Sequence, residues 1–324
     1  MNRFQLFPDS TTIENDSLHI AGLSLASLAD RYLTPLYIYD ALTLNASVKS
    51  YTDALAAYYP APYHITYAGK AFLYKAIAEW TQEHNLFVDC TGEGEIAIAV
   101  AGGVKREHIL VHGVNKSVAD LNSALEHAGT IVVDNLTELK TLESNSLLLE
   151  IQKQASGLQS QIWLRLLPGI AVSTHHSHTQ TGQHDSKFGM TRDEIREAAK
   201  FCKDNNLPLN GIHFHQGSNF RDPEPLIPAI DMALDLAKEI GFKGEWHFCP
   251  GGGWGVAYHE DELPNPSIES YVRGVAEVVI EGCQARGLDL PHLHLEPGRS
   301  IVARAGVAIY RVARSRDAAT KFGF

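Results

Sequence analysis

The sequence predicts an α/β protein: a (β/α)8, TIM-like barrel flanked by strands of an incomplete, β-rich second unit. Three observations carry this. Short apolar or β-branched runs alternate with helical patterns along the chain, which is how βα units around a parallel sheet read. There are eight such runs. They occupy roughly the 250 residues typical of a closed barrel, which favours that fold over an open doubly wound sheet.

The runs are His64–Tyr67, Leu86–Asp89, His108–Val111, Thr130–Val133, Ile162–Leu167, Gly211–Phe214, Trp246–Phe248 and His292–Leu295. Between them lie helix start and stop signals. Ser117 with Asp120, and Thr191 with Glu194, have capping-box spacing ahead of apolar stripes such as Leu121, Ala124, Leu125 and Ala128. Gly241 and Gly287 stand where two helices must close. Outside the barrel, extended stretches at Leu18–Ile20 and Leu36–Tyr39, and the β-branched run Ile301–Val312, read as strands of the second unit. This divides the chain into residues 1–40 as N-terminal strands of the β-rich unit, 41–300 as the barrel and 301–324 as the start of a truncated β-domain.

Composition narrows the function. The chain of 324 residues is 44% hydrophobic and 20% charged, and no apolar run approaches the roughly 20 residues of a membrane helix. The N-terminus, Met1 to Asp9, lacks a secretion signal, so a cytoplasmic location is expected. A formal net charge of −11 with scattered Lys and Arg argues against nucleic acid as a partner. Cys90, Cys202, Cys249 and Cys283 are far apart, without zinc-ribbon or redox spacing, and are expected to be free, buried thiols.

In a barrel of this kind chemistry is built at the C-terminal ends of the strands. Strand one ends at Ala68-Gly69-Lys70, strand two at Asp89, strand three at His112, strand six at His215-Gln216-Gly217-Ser218, strand seven at Gly251-Gly252-Gly253 and strand eight at Glu296-Pro297-Gly298-Arg299, with Arg165 inside strand five. A lone loop lysine is ordinarily a solvated charge. Lys70, carried by an apolar strand into a partly desolvated mouth, would instead favour its neutral amine, which can attack a carbonyl. The three glycines let backbone N–H groups approach an anion, though a tight turn would use them too. Glu296 could keep a heteroaromatic nitrogen protonated, or could simply pair with Arg299. His215 could offer a stacking face, although a single buried histidine is more often a satisfied core residue. The histidines of Thr174-His175-His176-Ser177-His178, with His184 and Asp185, have no fixed ligand spacing; a loop at the site entrance is expected there and no metal.

Together these residues resemble the fold type III pyridoxal-phosphate decarboxylases, and within them the diaminopimelate decarboxylases. The matching stretches are Tyr67-Ala68-Gly69-Lys70-Ala71, His112-Gly113-Val114-Asn115-Lys116-Ser117, Val132-Val133-Asp134-Asn135, Thr181-Gly182-Gln183-His184-Asp185-Ser186-Lys187-Phe188-Gly189, His213-Phe214-His215-Gln216-Gly217-Ser218, Gly251-Gly252-Gly253-Trp254-Gly255 and Glu296-Pro297-Gly298-Arg299-Ser300. The resemblance implies pyridoxal 5'-phosphate as cofactor, Lys70 as its Schiff-base lysine, His215 stacked on the ring and Glu296 at the ring nitrogen. It places Ser218, Gly252, Gly253 and Arg299 around phosphate or substrate, and Asp89, Glu95 and Arg165 around the cofactor, orienting Lys70 and the ring. The implied substrate is a small amino acid, meso-diaminopimelate, decarboxylated to L-lysine. Relatives acting on other diamino acids or siderophore precursors, and a non-catalytic cofactor-binding barrel, are the alternatives.

The resemblance also implies a C-terminal β-domain of roughly a hundred further residues, supplying a Cys-Glu pair across a homodimer. The closing stretch Ala318-Ala319-Thr320-Lys321-Phe322-Gly323-Phe324 matches nothing in that domain. The expectation is therefore cofactor binding with little turnover unless a second chain supplies the rest. Strands Leu36–Tyr39 and Ile301–Val312 are expected to lack pairing partners and to expose apolar edges.

Overall fold

The computed structural model describes residues 3–145, 160–170 and 186–312. The expected loop over 174–185 and the closing segment after Val312 lie outside the described residues.

Eight parallel strands close a barrel: β5 (Tyr63–Ala68), β6 (Phe87–Cys90), β7 (Ile109–Val111), β8 (Thr130–Val133), β9 (Gln161–Arg165), β10 (Leu209–His213), β11 (His247–Cys249) and β12 (His292–Leu295), with β12 hydrogen-bonded back to β5. The predicted strands are all present, within two residues at each end. One boundary has a clear cause. Strand β9 gives way after Arg165 to a bridge with Met190: Leu166 N still donates to the His213 carbonyl of the neighbouring strand, but Met190 N donates to the Arg165 carbonyl and Leu167 N to that of Met190.

Alternation along the strands divides their side chains. Val88, Val111, Ile131, Val133, Ile162, Leu164, Phe248 and Leu293 belong to the large core shared with the surrounding helices. Their neighbours Leu110, Val132, Trp163 and Cys249 form a separate cluster, with Phe87 against it, inside the barrel. That waist is filled by Trp163, and only glycine can sit opposite: a Cβ on Gly211 would lie 2.4 Å from the indole.

Both predicted capping boxes form, at Val118–His127 behind Ser117 and at Arg192–Asp204 behind Thr191. Gly241 and Gly287 close their helices in the left-handed conformation. All four cysteines are free and buried.

The flanking strands correct one expectation. The run Ile301–Val312 is not extended throughout: Arg299–Val302 forms a helical turn, and the strand is β13 (Gly306–Ile309). Ile301 and Val302 are β-branched because they fill the core with Leu44, Val48 and Tyr51 of the helix Ala41–Tyr58, rather than because they extend. Nor do the two flanking strands lack partners. Strand β13 pairs antiparallel with β4 (Leu36–Tyr39), Gly306 opposite Tyr39 and Ile309 opposite Leu36. The N-terminal strands β1 (Thr11–Glu14), β2 (Ser17–Ile20) and β3 (Leu23–Ser24) make a separate antiparallel sheet.

Candidate active site

The C-terminal ends of the barrel strands open into a cavity of about 600 Å³, the size of a typical small-molecule site. Lys70, His215, Ser218, Gly253, Glu296 and Arg299 line it. Lys70 sits on a single helical turn, Gly69–Ala71, that ends β5. Its side chain is exposed to the cavity, so the expectation that its strand desolvates it is corrected: the turn lifts it clear of the apolar wall. From there its charge reaches the two buried acids, favouring the ionised forms of Asp89 and Glu296.

Strand β12 delivers Glu296 through a close approach to the end of β11. Glu296 N donates to the Gly251 carbonyl at 3.0 Å, and a Cβ on Gly252 would stand 1.8 Å from the Glu296 carbonyl oxygen. The glycine run is thus first a packing requirement. Glu296 is 3% exposed, and His213 Nε2 lies 3.1 Å from both carboxylate oxygens. Burial alone would raise the acid, but His213, His112 and Lys70 outweigh it and hold Glu296 well below the usual carboxylate range. Burial keeps His213 neutral at physiological pH, so its Nε2–H donates to Glu296. Glu296 does not pair with Arg299.

Beneath the cavity lie Asp89 and Arg165, both buried. Asp89 contacts His112 Nε2; burial and the charge on Glu296 push Asp89 up to about 7, and burial pushes His112 down to about 3. Arg165 stands 3.6 Å from Asp134, donates to the His112 carbonyl at 3.4 Å, and lies over the Phe188 ring at 4.6 Å. Glu95 is set to the side, accepting from Thr91 N and Oγ1, with Oε2 beside Gly69 at the root of Lys70. Gly252 stands behind His215, its N–H directed at Nδ1 at 3.4 Å. Burial lowers the His215 pKa well below the usual range, so a neutral, flat ring faces the cavity.

Ser218 and Arg299 form a polar corner of the cavity. Arg299 Nη2 donates to Ser218 Oγ at 3.3 Å and Nη1 to Tyr258 Oη at 2.6 Å, while its Nε is buried without a partner among the described residues. All ten sequence-predicted residues therefore gather at one end of the barrel, six on the cavity and four around it. Sequence reasoning placed His112 at a strand end without giving it a role, and it missed His213 and Asp134 as site members. The signal was available: His213 precedes His215 by two, so both point into the barrel, and His112 follows the buried β7 by one. The wall made by Tyr37, Tyr39 and Phe72 was not legible, because β4 reaches the mouth only through its pairing with β13.

An eight-stranded barrel whose mouth combines a lysine, a buried ionised carboxylate and an arginine–serine anion corner is the architecture of an enzyme that carries an anionic cofactor on lysine. The chain belongs to the pyridoxal-dependent decarboxylases: the family model for the pyridoxal binding domain of that family matches residues 43–303. Its cofactor is pyridoxal 5'-phosphate, and its reaction class is that of a carboxy-lyase. The chain is 34% identical to the diaminopimelate decarboxylase of Bacillus subtilis, over 96% of this chain and 71% of that one. It is 32% identical to that of Staphylococcus aureus, over 94% and 70%. Among solved structures, diaminopimelate decarboxylase from Helicobacter pylori complexed with L-lysine (I148L mutant) superposes with a TM-score of 0.75 at 30% identity, covering 87% of this chain and 67% of that one. The enzyme from M. jannaschii shares the fold, with a TM-score of 0.82 at 24% identity over 93% and 69%.

The residues present fit the cofactor on the structure's own terms. The unpartnered, buried Nε of Arg299 beside a serine hydroxyl is a phosphate donor set. Glu296, ionised under the cavity, is the acceptor a ring N–H requires.

Proposed function

We propose that this chain decarboxylates meso-diaminopimelate to L-lysine, with Lys70 as the cofactor-bearing lysine. The observation that carries the proposal is the buried, ionised Glu296 at the floor of a cavity that also holds Lys70. When bound, pyridoxal phosphate supplies the electron sink that takes up the bonding pair as the carboxylate leaves as carbon dioxide. The chain's own residues do the rest. Glu296 would accept from a ring N–H and so keep that nitrogen protonated, and His213 fixes the carboxylate through its Nε2–H. His215 offers its neutral face to a planar ring. Ser218, Arg299 and the backbone at Gly253 would hold phosphate, with Gly252 backing His215, while Asp89, Glu95 and Arg165 set the floor and the root of Lys70. The Lys70 amine, exposed to the cavity, would serve as proton donor to the substrate α-carbon. The substrate identity rests on the diaminopimelate decarboxylases that the chain matches.

A homodimer in the cytoplasm is part of the same reading. Among the described residues no helix is long and apolar enough to cross a membrane.

The test is a visible spectrum of the purified chain with pyridoxal phosphate, before and after borohydride, with mass mapping of the modified residue. A reducible adduct on Lys70, lost in Lys70→Ala together with at least about 10³-fold of any decarboxylation, is expected. An adduct elsewhere would overturn the assignment. Lysine formation from meso-diaminopimelate, set against ornithine and arginine as competitors, tests the substrate.

A further inference from the structure

The opposite end of the barrel holds a second concentration of chemistry that the decarboxylase reading does not use. His247 and His292 open strands β11 and β12 and face each other in register. Glu245 precedes β11 by two residues. One ligand atom from each of the three lies within 4.8 Å of the other two, and His292 Nε2 is 3.8 Å from Glu245 Oε1. Tetrahedral zinc with bonds of 2.0–2.1 Å places its ligand atoms about 3.4 Å apart, so a small inward turn of the exposed Glu245 completes the set.

Further observations mark this as more than a chance cluster. His247 is 7% exposed, and its Nε2 is buried with no hydrogen-bond partner among the described residues. Its Nδ1 lies 3.1 Å from His294 Nε2; with the Nδ1–H donated there, the Nε2 lone pair is free to bind a Lewis acid, which is how a second-shell acceptor prepares a metal-binding histidine. The Glu245 backbone is also held from both sides by Asp289, whose carboxylate accepts from Gly244 N at 2.8 Å and whose carbonyl accepts from the Trp246 indole at 2.8 Å. The Glu245 side remains open to solvent, which provides access for an ion.

We propose that Glu245, His247 and His292 form a binding site for a zinc-class divalent cation at the N-terminal end of the barrel, with solvent in the remaining position. Two histidines and a carboxylate suit zinc better than calcium or magnesium, which take oxygen ligands. The ion would tie the start of β11 to that of β12, far from Lys70.

The experiment is calorimetric titration of chelator-stripped chain with zinc chloride, alongside thermal unfolding with and without zinc. Wild type is compared with Glu245→Gln and with the double variant His247→Gln/His292→Gln. Histidines elsewhere in the chain, including His175, His176, His178 and His184, are common to all forms and subtract out. The double variant is expected to bind one equivalent fewer than wild type and to lose part of the zinc-dependent rise in Tm. Glu245→Gln is expected to weaken that same equivalent by about 10- to 100-fold, the range seen for losses around a metal site. Glu245 is on the surface, so this variant carries the test even if the double variant fails to fold. Equal numbers of zinc equivalents at equal affinity in wild type and Glu245→Gln would overturn the proposal.

Discussion

The two ends of this barrel use the same residue type to opposite effect. At the mouth two fully buried histidines meet carboxylates: His213 with Glu296, His112 with Asp89. At the floor the histidines meet one another and aromatic rings. His247 stacks on Trp163 at 5.3 Å, His64 lies 4.7 Å from His294, and His108 stacks on Phe87 at 4.5 Å. Burial makes both groups neutral, pushing His112 and His247 each to about 3 and His64 to about 4. What differs is the partner. A histidine–carboxylate pair sets a base beside an acid and has a proton to hold or move between them, whereas a histidine–histidine pair sets no charged acceptor beside either ring. The first arrangement suits acid–base control of a cofactor, the second a metal or a tightly packed plug.

Breaking the mouth should have the largest effect. Glu296→Gln removes the anion while keeping the shape, and kcat for decarboxylation should fall by about 10²- to 10³-fold, the usual cost of one preorganised electrostatic group. His213→Asn, acting only through Glu296, should cost less and should shift the pH profile of kcat; an unchanged profile would detach His213 from the site. Next in size, Arg299→Ala removes charged hydrogen bonds worth about 1.5–3 kcal/mol, so cofactor affinity should drop by about 10- to 100-fold in a spectroscopic titration.

The smallest effect sharpens the floor. A histidine whose folded pKa lies below its unfolded value contributes stability that is present above the unfolded pKa, near 6.5, and is lost as pH falls toward the folded one. His247, near 3 in the fold, should therefore make the chain less stable as pH drops from 6.5, by at most about 1.4 kcal/mol per pH unit for one group. His247→Phe should lessen the slope of urea-unfolding stability between pH 7 and 5 by up to that amount, leaving the share of the other buried histidines. Asp89 runs the other way. With a folded pKa raised to about 7, it favours the fold at low pH and loses that contribution as pH rises from about 4 through 7. A full pH curve in the Asp89→Asn background separates the two.

Much of this was readable in one dimension. The barrel strands were legible because each is a short apolar run bounded by turn residues, and Thr130–Val133 and His292–Leu295 match to the residue. The capping boxes at Ser117 and Thr191 and the closing glycines at Gly241 and Gly287 are local chemistry, settled within four residues of chain. Most of the ten site residues stood out because a barrel sends strand ends to one face, so position on a strand is position in the site; Glu95, on the helix Glu93–Ala101, was named only through the family resemblance.

Tertiary structure decided everything that depends on distance across the barrel. Ile301 and Val302 look extended by composition, yet they turn helical to pack against the helix Ala41–Tyr58. Strands β4 and β13, more than 250 residues apart in sequence, found each other, joining Tyr37 to Tyr310 through their hydroxyls. Which carboxyl is ionised was equally out of reach: Glu296 and Asp89 are both buried acids at strand ends, and only the placement of His213, His112 and Lys70 lowers one and leaves the other near 7. Sequence determines what each strand can carry. Burial and Coulomb energies, which fall off over a few ångströms of space rather than of chain, determine what those groups become.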